Sequence, residues 1–295
     1  MKILLCGATG FVGRALAWAL TQAGHQVLPG VSRTRGLPGE VAMDFNRDHA
    51  AAVWLPRLQG VEAVVNAVGV LRDTPRRPIA AIHTAAPIAL FDACAQAGVR
   101  RVVQISALGV EDGDTDYART KRAADEHLLA LHAQGQLQAT VVRPSVIFGA
   151  GGDSTALFMA LARLPLRVLP RPVIEARIQP VAVGELAEVV ARLVDLPDAA
   201  TLLAAVGPEP VGMADFVRSL RTQAGHGAGW QIALPGWLTR LSARAGDLVP
   251  VSPWCRTTLA MLSQDNVAGP AAFAAALGRP ATPYQRLLAT WRKEH

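Results

Sequence analysis

Hydrophobic and polar positions follow two alternating rhythms along the first half of the chain. Short β-rich apolar runs occur at 2–6, 26–32, 41–45, 63–68, 101–106 and 140–143. Between most of them, 11–23, 48–58, 79–97 and 116–133 carry Ala and Leu at helical spacing. The runs at 63–68 and 101–106 are almost continuously apolar, as parallel strands covered on both faces must be. Gly24 and Gly98 stand where helix C-caps are expected. Strand–helix alternation of this kind predicts an α/β fold: a Rossmann-type, doubly wound parallel sheet with right-handed crossovers.

After Pro144 the rhythm changes. Gly149, Gly151 and Gly152 form a loop, and Pro165, Pro170, Pro172 and Pro180 punctuate the segment after it. A helix at 184–196 and a strand at 202–206 return to the sheet. From Gly207 the pattern predicts short helices, with Trp230, Trp237, Trp254 and Trp291 as packing anchors of a small, mainly helical lobe.

Composition narrows the class. Of 295 residues 51% are hydrophobic and 18% charged, which excludes a disordered chain. The net charge is +6, yet the 26 Arg are scattered rather than gathered in a stripe with aromatics, as a nucleic-acid surface requires. The uncharged stretch 222–239 is broken by four Gly, His226, two Gln and Pro235, so no transmembrane segment is expected. Met1–Cys6 reads as a first strand rather than a signal sequence. Cys6, Cys94 and Cys255 form no C-x-x-C pair and are expected to be reduced, in a cytoplasmic protein. No His or carboxylate spacing suits a metal, and Tyr117 stands where a calcium loop beginning at Asp112 would need Gly.

Gly7-Ala8-Thr9-Gly10-Phe11-Val12-Gly13 follows the first strand and opens the first helix. Gly7 permits a tight turn, Gly10 lets backbone approach a pyrophosphate, and Gly13 allows close helix–strand packing. The helix N-terminus then offers free N–H groups to phosphate. A nicotinamide dinucleotide is therefore expected, held by a binding domain at 1–150. Residues 151–295 form a substrate lobe interleaved with the end of the sheet.

At the end of the second strand, where an NAD site carries a carboxylate, the chain reads Ser32-Arg33-Thr34-Arg35. A hydroxyl and one or two guanidiniums suit a 2′-phosphate, so NADP(H) is favoured over NAD(H). The alternative is that both Arg are ordinary surface charges. Asp44-Phe45 is expected at the adenine, and Ala67-Val68-Gly69, after Asn66, beneath the adenosine ribose.

Tyr117 and Lys121 share one face of the fourth helix at i, i+4 spacing, with Asp114 or Thr115 as its cap. A nearby ammonium and the helix dipole favour phenolate over phenol, whose pKa otherwise lies near ~10. Tyr117 can then exchange a proton with a carbonyl or hydroxyl, and Lys121 can also reach ribose hydroxyls. This chain uses Arg for nearly every cation and has only three Lys, so Lys at 121 is informative. An exposed helix pair is the structural alternative.

These motifs resemble the short-chain dehydrogenase/reductase superfamily, in its extended or atypical, epimerase/dehydratase-like branch. The glycine turn, Tyr117-x-x-x-Lys121 and Arg143-Pro144-Ser145-Val146-Ile147-Phe148-Gly149 carry the likeness. Asn66–Leu71, Ser106–Gly109, Gln179–Val183 and Met261–Val267 are similar to the group containing the nucleotide-binding accessory subunit of respiratory complex I. The resemblance implies that Gly7, Thr9, Gly10, Phe11 and Val12 surround the pyrophosphate. It also implies that Pro144 meets the nicotinamide carboxamide, and that Ser106 joins Tyr117 and Lys121 as a candidate catalytic residue. Superfamily members place a hydroxyl cluster after the fifth strand; here Ser106 is followed by Ala107 and Leu108. Two functions are implied: an NADP-dependent oxidoreductase of a small carbonyl or hydroxyl substrate, or a non-catalytic NADP(H)-binding module that assembles a partner complex, with peripheral membrane association through the lobe of Trp230 and Trp237.

Overall fold

A computed structural model of the chain describes residues 1–247, 259 and 264–291. Trp254, Cys255 and residues 261–263 of the Met261–Val267 motif lie outside the described residues. The chain forms two compact units, Met1–Pro144 with Val183–Ala205, and Ser145–Ala182 with Val206–His295.

In chain order the first unit begins with β1 (Lys2–Cys6), α1 (Phe11–Gln22), β2 (Gln26–Val31), β3 (Val41–Ala42), α2 (Ala51–Trp54) and β4 (Ala63–Asn66). It continues with α3 (Ala86–Ala97), β5 (Arg101–Ile105), α4 (Asp116–Ala133) and β6 (Gln138–Pro144). The second unit contributes β7 (Ile147–Phe148), α5 (Asp153–Arg163), β8 (Leu166–Pro170), α6 (Arg171–Glu175), β9 (Arg177–Ile178) and β10 (Val181–Ala182). The chain then returns to the first unit as α7 (Val183–Asp195) and β11 (Leu202–Ala205), and re-enters the second as β12 (Val211–Gly212), α8 (Met213–Gln223), β13 (Trp230–Leu234) and α9 (Gly236–Asp247).

Seven parallel strands in the order β11-β6-β5-β4-β1-β2-β3 make the sheet of the first unit. Every residue of β4 and β5 is buried, which is why both read as nearly continuous apolar runs, with Asn66, Arg101 and Gln104 as buried polar exceptions. Strand order reverses between β4 and β1, and the carboxyl ends of these two strands open the crevice that such sheets use for ligands.

Three local departures from the sequence pattern have identifiable causes. The run at 41–45 gives only a two-residue strand, because Asp44 Oδ1 accepts from Asn46 N–H at 3.0 Å and Asp48 Oδ2 accepts from Asp44 N–H at 2.6 Å, turning the chain away. The helix expected at 48–58 shortens to α2 and a 3-10 turn at Leu55–Leu58, where Pro56 has no N–H to continue the α ladder. The helix expected at 79–97 opens as a π turn at Ala81–Ala85, because Pro87 offers no N–H to the carbonyl of His83.

In the second unit Phe148, Phe158 and Phe216 stack edge to face, and Trp291 packs on Phe148 as expected. Trp230 and Trp237 are not packing anchors; they are 81% and 63% exposed. Nor is the segment after Gly207 purely helical, since β13 pairs in parallel with β8. The outward positions of this pair, Leu166, Val168, Trp230 and Ile232, are apolar. Among the described residues no helix is long and apolar enough to cross a membrane.

The first unit's core closes around Trp54, fully buried, with its indole N–H donating to the Asp48 carbonyl at 2.9 Å and the Arg57 guanidinium 5.0 Å from its ring. Trp54→Ala removes that volume and should cost about 3–5 kcal/mol in a urea unfolding experiment. A loss under about 1 kcal/mol would contradict this assignment of the core.

Candidate active site

The turn after β1 is set by close contacts. Gly7 adopts φ 80°, and Gly7 and Ala8 N–H both donate to the Gly30 carbonyl on β2. A Cβ on Gly13 would lie 2.0 Å from the Gly7 carbonyl oxygen, so only glycine lets α1 begin this near β1. Gly10 caps α1 without a side chain, and no acidic residue occupies the first turn. The N-terminus, flanked by exposed Thr9 and by Phe11 and Val12, thus keeps its partial positive charge for an anion. That cradle fits a pyrophosphate.

At the end of β2, Ser32 and Arg33 are exposed, and among the described residues Arg33 makes no hydrogen bond or ion pair. Arg35 is engaged: its N–H and Nε reach Glu40 at 2.6 and 3.1 Å, and the first of these bonds does most to hold the Glu40 carboxyl below its usual range. The pair of guanidiniums expected there is therefore one free and one committed. Asp44 spends Oδ1 on Asn46 N–H, and Phe45, expected at the adenine, buries its ring 5.5 Å from that of Trp54. Sequence alone did not reveal that Phe45 belongs to the core.

Ala67, Val68 and Gly69 follow β4 beside the glycine turn. Ala67 N–H donates to the Cys6 carbonyl, and a Cβ on Gly7 would meet Val68 at 3.1 Å. A Cβ on Gly69 would stand 3.5 Å from Lys121 Nζ and 3.6 Å from His83 Nε2. The glycine turn, the loop after β4 and the lysine of α4 therefore line one continuous edge of the sheet. Pro144 ends β6, its carbonyl accepting from Leu108 N–H at 2.9 Å.

Thr115 caps α4, its Oγ1 accepting from Ala118 N–H at 3.1 Å, which fixes Tyr117 in the first turn. Lys121 is buried, donates to the Ile105 carbonyl at 3.2 Å, and lies 5.9 Å from the centre of the Tyr117 ring. Burial lowers its pKa to about 8, with the charge of Asp125 acting in the opposite sense. Tyr117 does not behave as the sequence suggested. Burial raises its pKa, and the negative charge of Asp125 adds to the rise, so the phenol stays protonated. Desolvation is the larger of the two causes.

Two groups at this edge, His83 and Asp125, are not singled out by the sequence. His83, in the π turn, sets its ring edge-on to Tyr117 at 5.2 Å, accepts from Val70 N–H through Nε2 at 3.0 Å, and lies 3.2 Å from Thr120 Oγ1 through Nδ1. Burial first, and Lys121 second, lower its pKa to about 3, so the imidazole is neutral. Its only sequence signal is Pro87 four residues on, which opens the turn. Ser106 is buried, and its hydroxyl donates to Asp125 Oδ2 at 2.6 Å. Asp125 continues the Tyr117–Lys121 stripe by one more helical turn.

The low pKa of His83 has a consequence for stability. The unfolded chain binds a proton at His83 near 6.5 and the folded chain near 3. Stability contributed by this site is therefore full above about pH 6.5 and falls between there and about 3, by up to about 1.4 kcal/mol per pH unit. His83→Gln should flatten that part of the acid limb relative to the unsubstituted protein. Parallel limbs in urea melts from pH 7 to 4 would refute the burial of a neutral imidazole.

Residues 3–200 match the NAD dependent epimerase/dehydratase family. UDP-glucose 4-epimerase of Vibrio cholerae is 26% identical over 268 residues, covering 81% of this chain and 80% of that one. Ceramide reductase of Caulobacter vibrioides is 31% identical over 177 residues, 57% of this chain, which spans about half of the reductase. Among solved structures, the human epimerase family protein SDR39U1 with NADPH superposes with a TM-score of 0.74 at 17% identity, each chain covered in full. A family match over two thirds of the residues, on a seven-stranded parallel sheet with the glycine turn at its first crossover, leads to one assignment: the chain belongs to the NAD dependent epimerase/dehydratase family.

Proposed function

We propose that the protein is an NADP(H)-preferring oxidoreductase of the short-chain dehydrogenase/reductase type, acting in the cytoplasm on a small carbonyl or hydroxyl substrate. The observation that carries this reading is the buried Lys121 ammonium, 5.9 Å from the Tyr117 ring and beside the loop after β4. The dinucleotide supplies or accepts the hydride when bound. Gly7, Gly10 and Gly13, with Thr9, Phe11 and Val12, hold its pyrophosphate at the start of α1. Ala67, Val68 and Gly69 line its adenosine side, Pro144 its carboxamide side, and Lys121 the ribose hydroxyls. Tyr117 gives its phenolic proton to the substrate oxygen in reduction and takes it back in oxidation. Relatives named for the reduction of ceramide and for the epimerisation of UDP-glucose support chemistry at a hydroxyl-bearing carbon.

The preference for the 2′-phosphate rests on Ser32 and on the free Arg33, since Arg35 is held by Glu40. Arg33→Ala should weaken NADPH about tenfold or more while leaving NADH within about twofold, read by fluorescence titration. Equal losses for both coenzymes would remove the preference.

A second reading, a non-catalytic NADP(H)-binding module, is favoured by two observations. The Ser106 hydroxyl is committed to Asp125, and Trp230 and Trp237 stand exposed, as a surface for a partner or for a membrane would have them. The resemblance to the accessory subunit of complex I supports the same alternative. One experiment separates the two. With NADPH and a panel of aldehydes, ketones and quinones, turnover should appear and fall at least about 100-fold in Tyr117→Phe, with coenzyme affinity unchanged. Tight NADPH binding with no turnover on any member of the panel would select the module.

A further inference from the structure

The second unit turns outward apolar side chains that folding ordinarily hides. On the paired strands β8 and β13, Leu166, Val168, Trp230 and Ile232 are between 49% and 81% exposed. On α9, the next element of the chain, Trp237 and Leu241 lie one helical turn apart and are 63% and 57% exposed, and exposed Arg244 continues their stripe. Apolar residues scattered singly over a surface need no explanation, whereas six on consecutive and paired elements do.

Charge is distributed unevenly around them. The two segments that build these elements, 154–174 and 216–246, hold seven Arg and no Asp or Glu. They run side by side, β13 on β8, with the Phe216 ring of α8 5.3 Å from that of Phe158 on α5. Carboxylates return at the borders, where Glu175 pairs with Arg171 and Asp215 with Arg218. Arg163 and Arg244 are exposed and make no ion pair among the described residues. Arg167, between Leu166 and Val168, is buried with all three guanidinium nitrogens unpartnered. Burial first, then the charges of Arg221 and Arg218, lower its pKa, while Arg221 donates to the carbonyls of Ala162, Arg163, Leu164 and Gly227. Positive charge in this part of the unit is therefore not neutralised from within.

Apolar side chains among uncompensated cations fit one occupant, a bilayer with anionic headgroups. A second copy of the chain would bring the same arginines against these. A nucleic acid offers phosphates but no hydrocarbon for Leu166, Val168, Ile232 and Leu241. We infer that this face docks the second unit on an anionic phospholipid surface, with the two tryptophans and the aliphatic side chains entering the boundary between headgroups and acyl chains. Tryptophan suits that boundary because its ring is apolar and its N–H is wet, and guanidinium pairs with lipid phosphate in bidentate fashion. An apolar face rimmed by cations is what binding in the plane of the interface requires. The inference goes beyond the proposed oxidoreductase activity and does not depend on it.

The full chain can be sedimented with vesicles of phosphatidylcholine alone, or with about one-third phosphatidylglycerol, at about 0.1 M salt. Binding should be at least about tenfold stronger on the anionic vesicles, with tryptophan emission quenched by lipids brominated on their acyl chains. Trp230→Gln/Trp237→Gln should lose that quenching and weaken binding by about tenfold or more. Arg163→Gln/Arg244→Gln should weaken binding to a similar extent, about tenfold, while the fraction that binds is still quenched. All four side chains are exposed, so both variants should keep the circular dichroism and the NADPH affinity of the unsubstituted protein. NADPH titration without vesicles tests the coenzyme reading by itself, and its failure leaves the vesicle result standing. Equal binding to both vesicles, or undiminished binding in either variant, overturns the inference. Anionic binding without acyl-chain quenching marks adsorption of a basic protein by charge alone and overturns it too. Absence of vesicle binding assigns the face to a protein partner, which is equally fatal.

Discussion

A buried ammonium is the constraint around which the sheet's carboxyl edge is arranged. Lys121 sits inside the fold with its Nζ on the Ile105 carbonyl, where an isolated charge would be untenable. Its neighbours are what such a charge demands. Asp125 stands one turn along the helix, and His83 gives up its own charge beside it. A guanidinium is too broad and too basic for this place, which explains the lysine in a chain that otherwise uses arginine.

The rest of the edge depends on how near α1 comes to β1. With Gly13 only 2.0 Å, at its missing Cβ, from the Gly7 carbonyl, α1 starts directly against the turn after β1. Ala67 and Val68 then close on Gly7, and Gly69 leaves room for Lys121 and His83. Two close approaches, at Gly7 and Gly13, thereby pack the glycine turn against the loop after β4 and the start of α1, and a methyl group at either position would crowd them.

Much of this was legible in the sequence, for physical reasons that can be named. Strands such as β4 and β5, buried on both faces, announce themselves by nearly continuous apolar runs, and the glycine turn by its place between a strand and a helix. Tyr117 and Lys121 were legible because a helix repeats in steps that put i and i+4 together. What stayed hidden depends on partners far apart in sequence. Nothing in Phe45 says that it will meet Trp54, nothing in Arg35 that Glu40 will hold it, and nothing in Ser106 that Asp125 will accept its hydroxyl. The exposure of Trp230 and Trp237 is of the same kind, since a tryptophan's apolar bulk predicts burial and only the pairing of β13 with β8 shows which face it takes.

The protonation of Tyr117 ties these observations to chemistry. A phenol whose pKa is raised by burial is protonated across the physiological range, the form that a carbonyl reduction needs at the outset. It is also a weak acid, and proton transfer from it becomes favourable only as positive charge is brought to bear on the oxygen. Ser106 does not share the load, because its one proton is directed at Asp125. In the proposed reduction that positive charge would come from Lys121, whose pKa burial lowers to about 8. On the proposed reading, the pH at which the lysine loses its proton would limit the range in which Tyr117 acts as the acid.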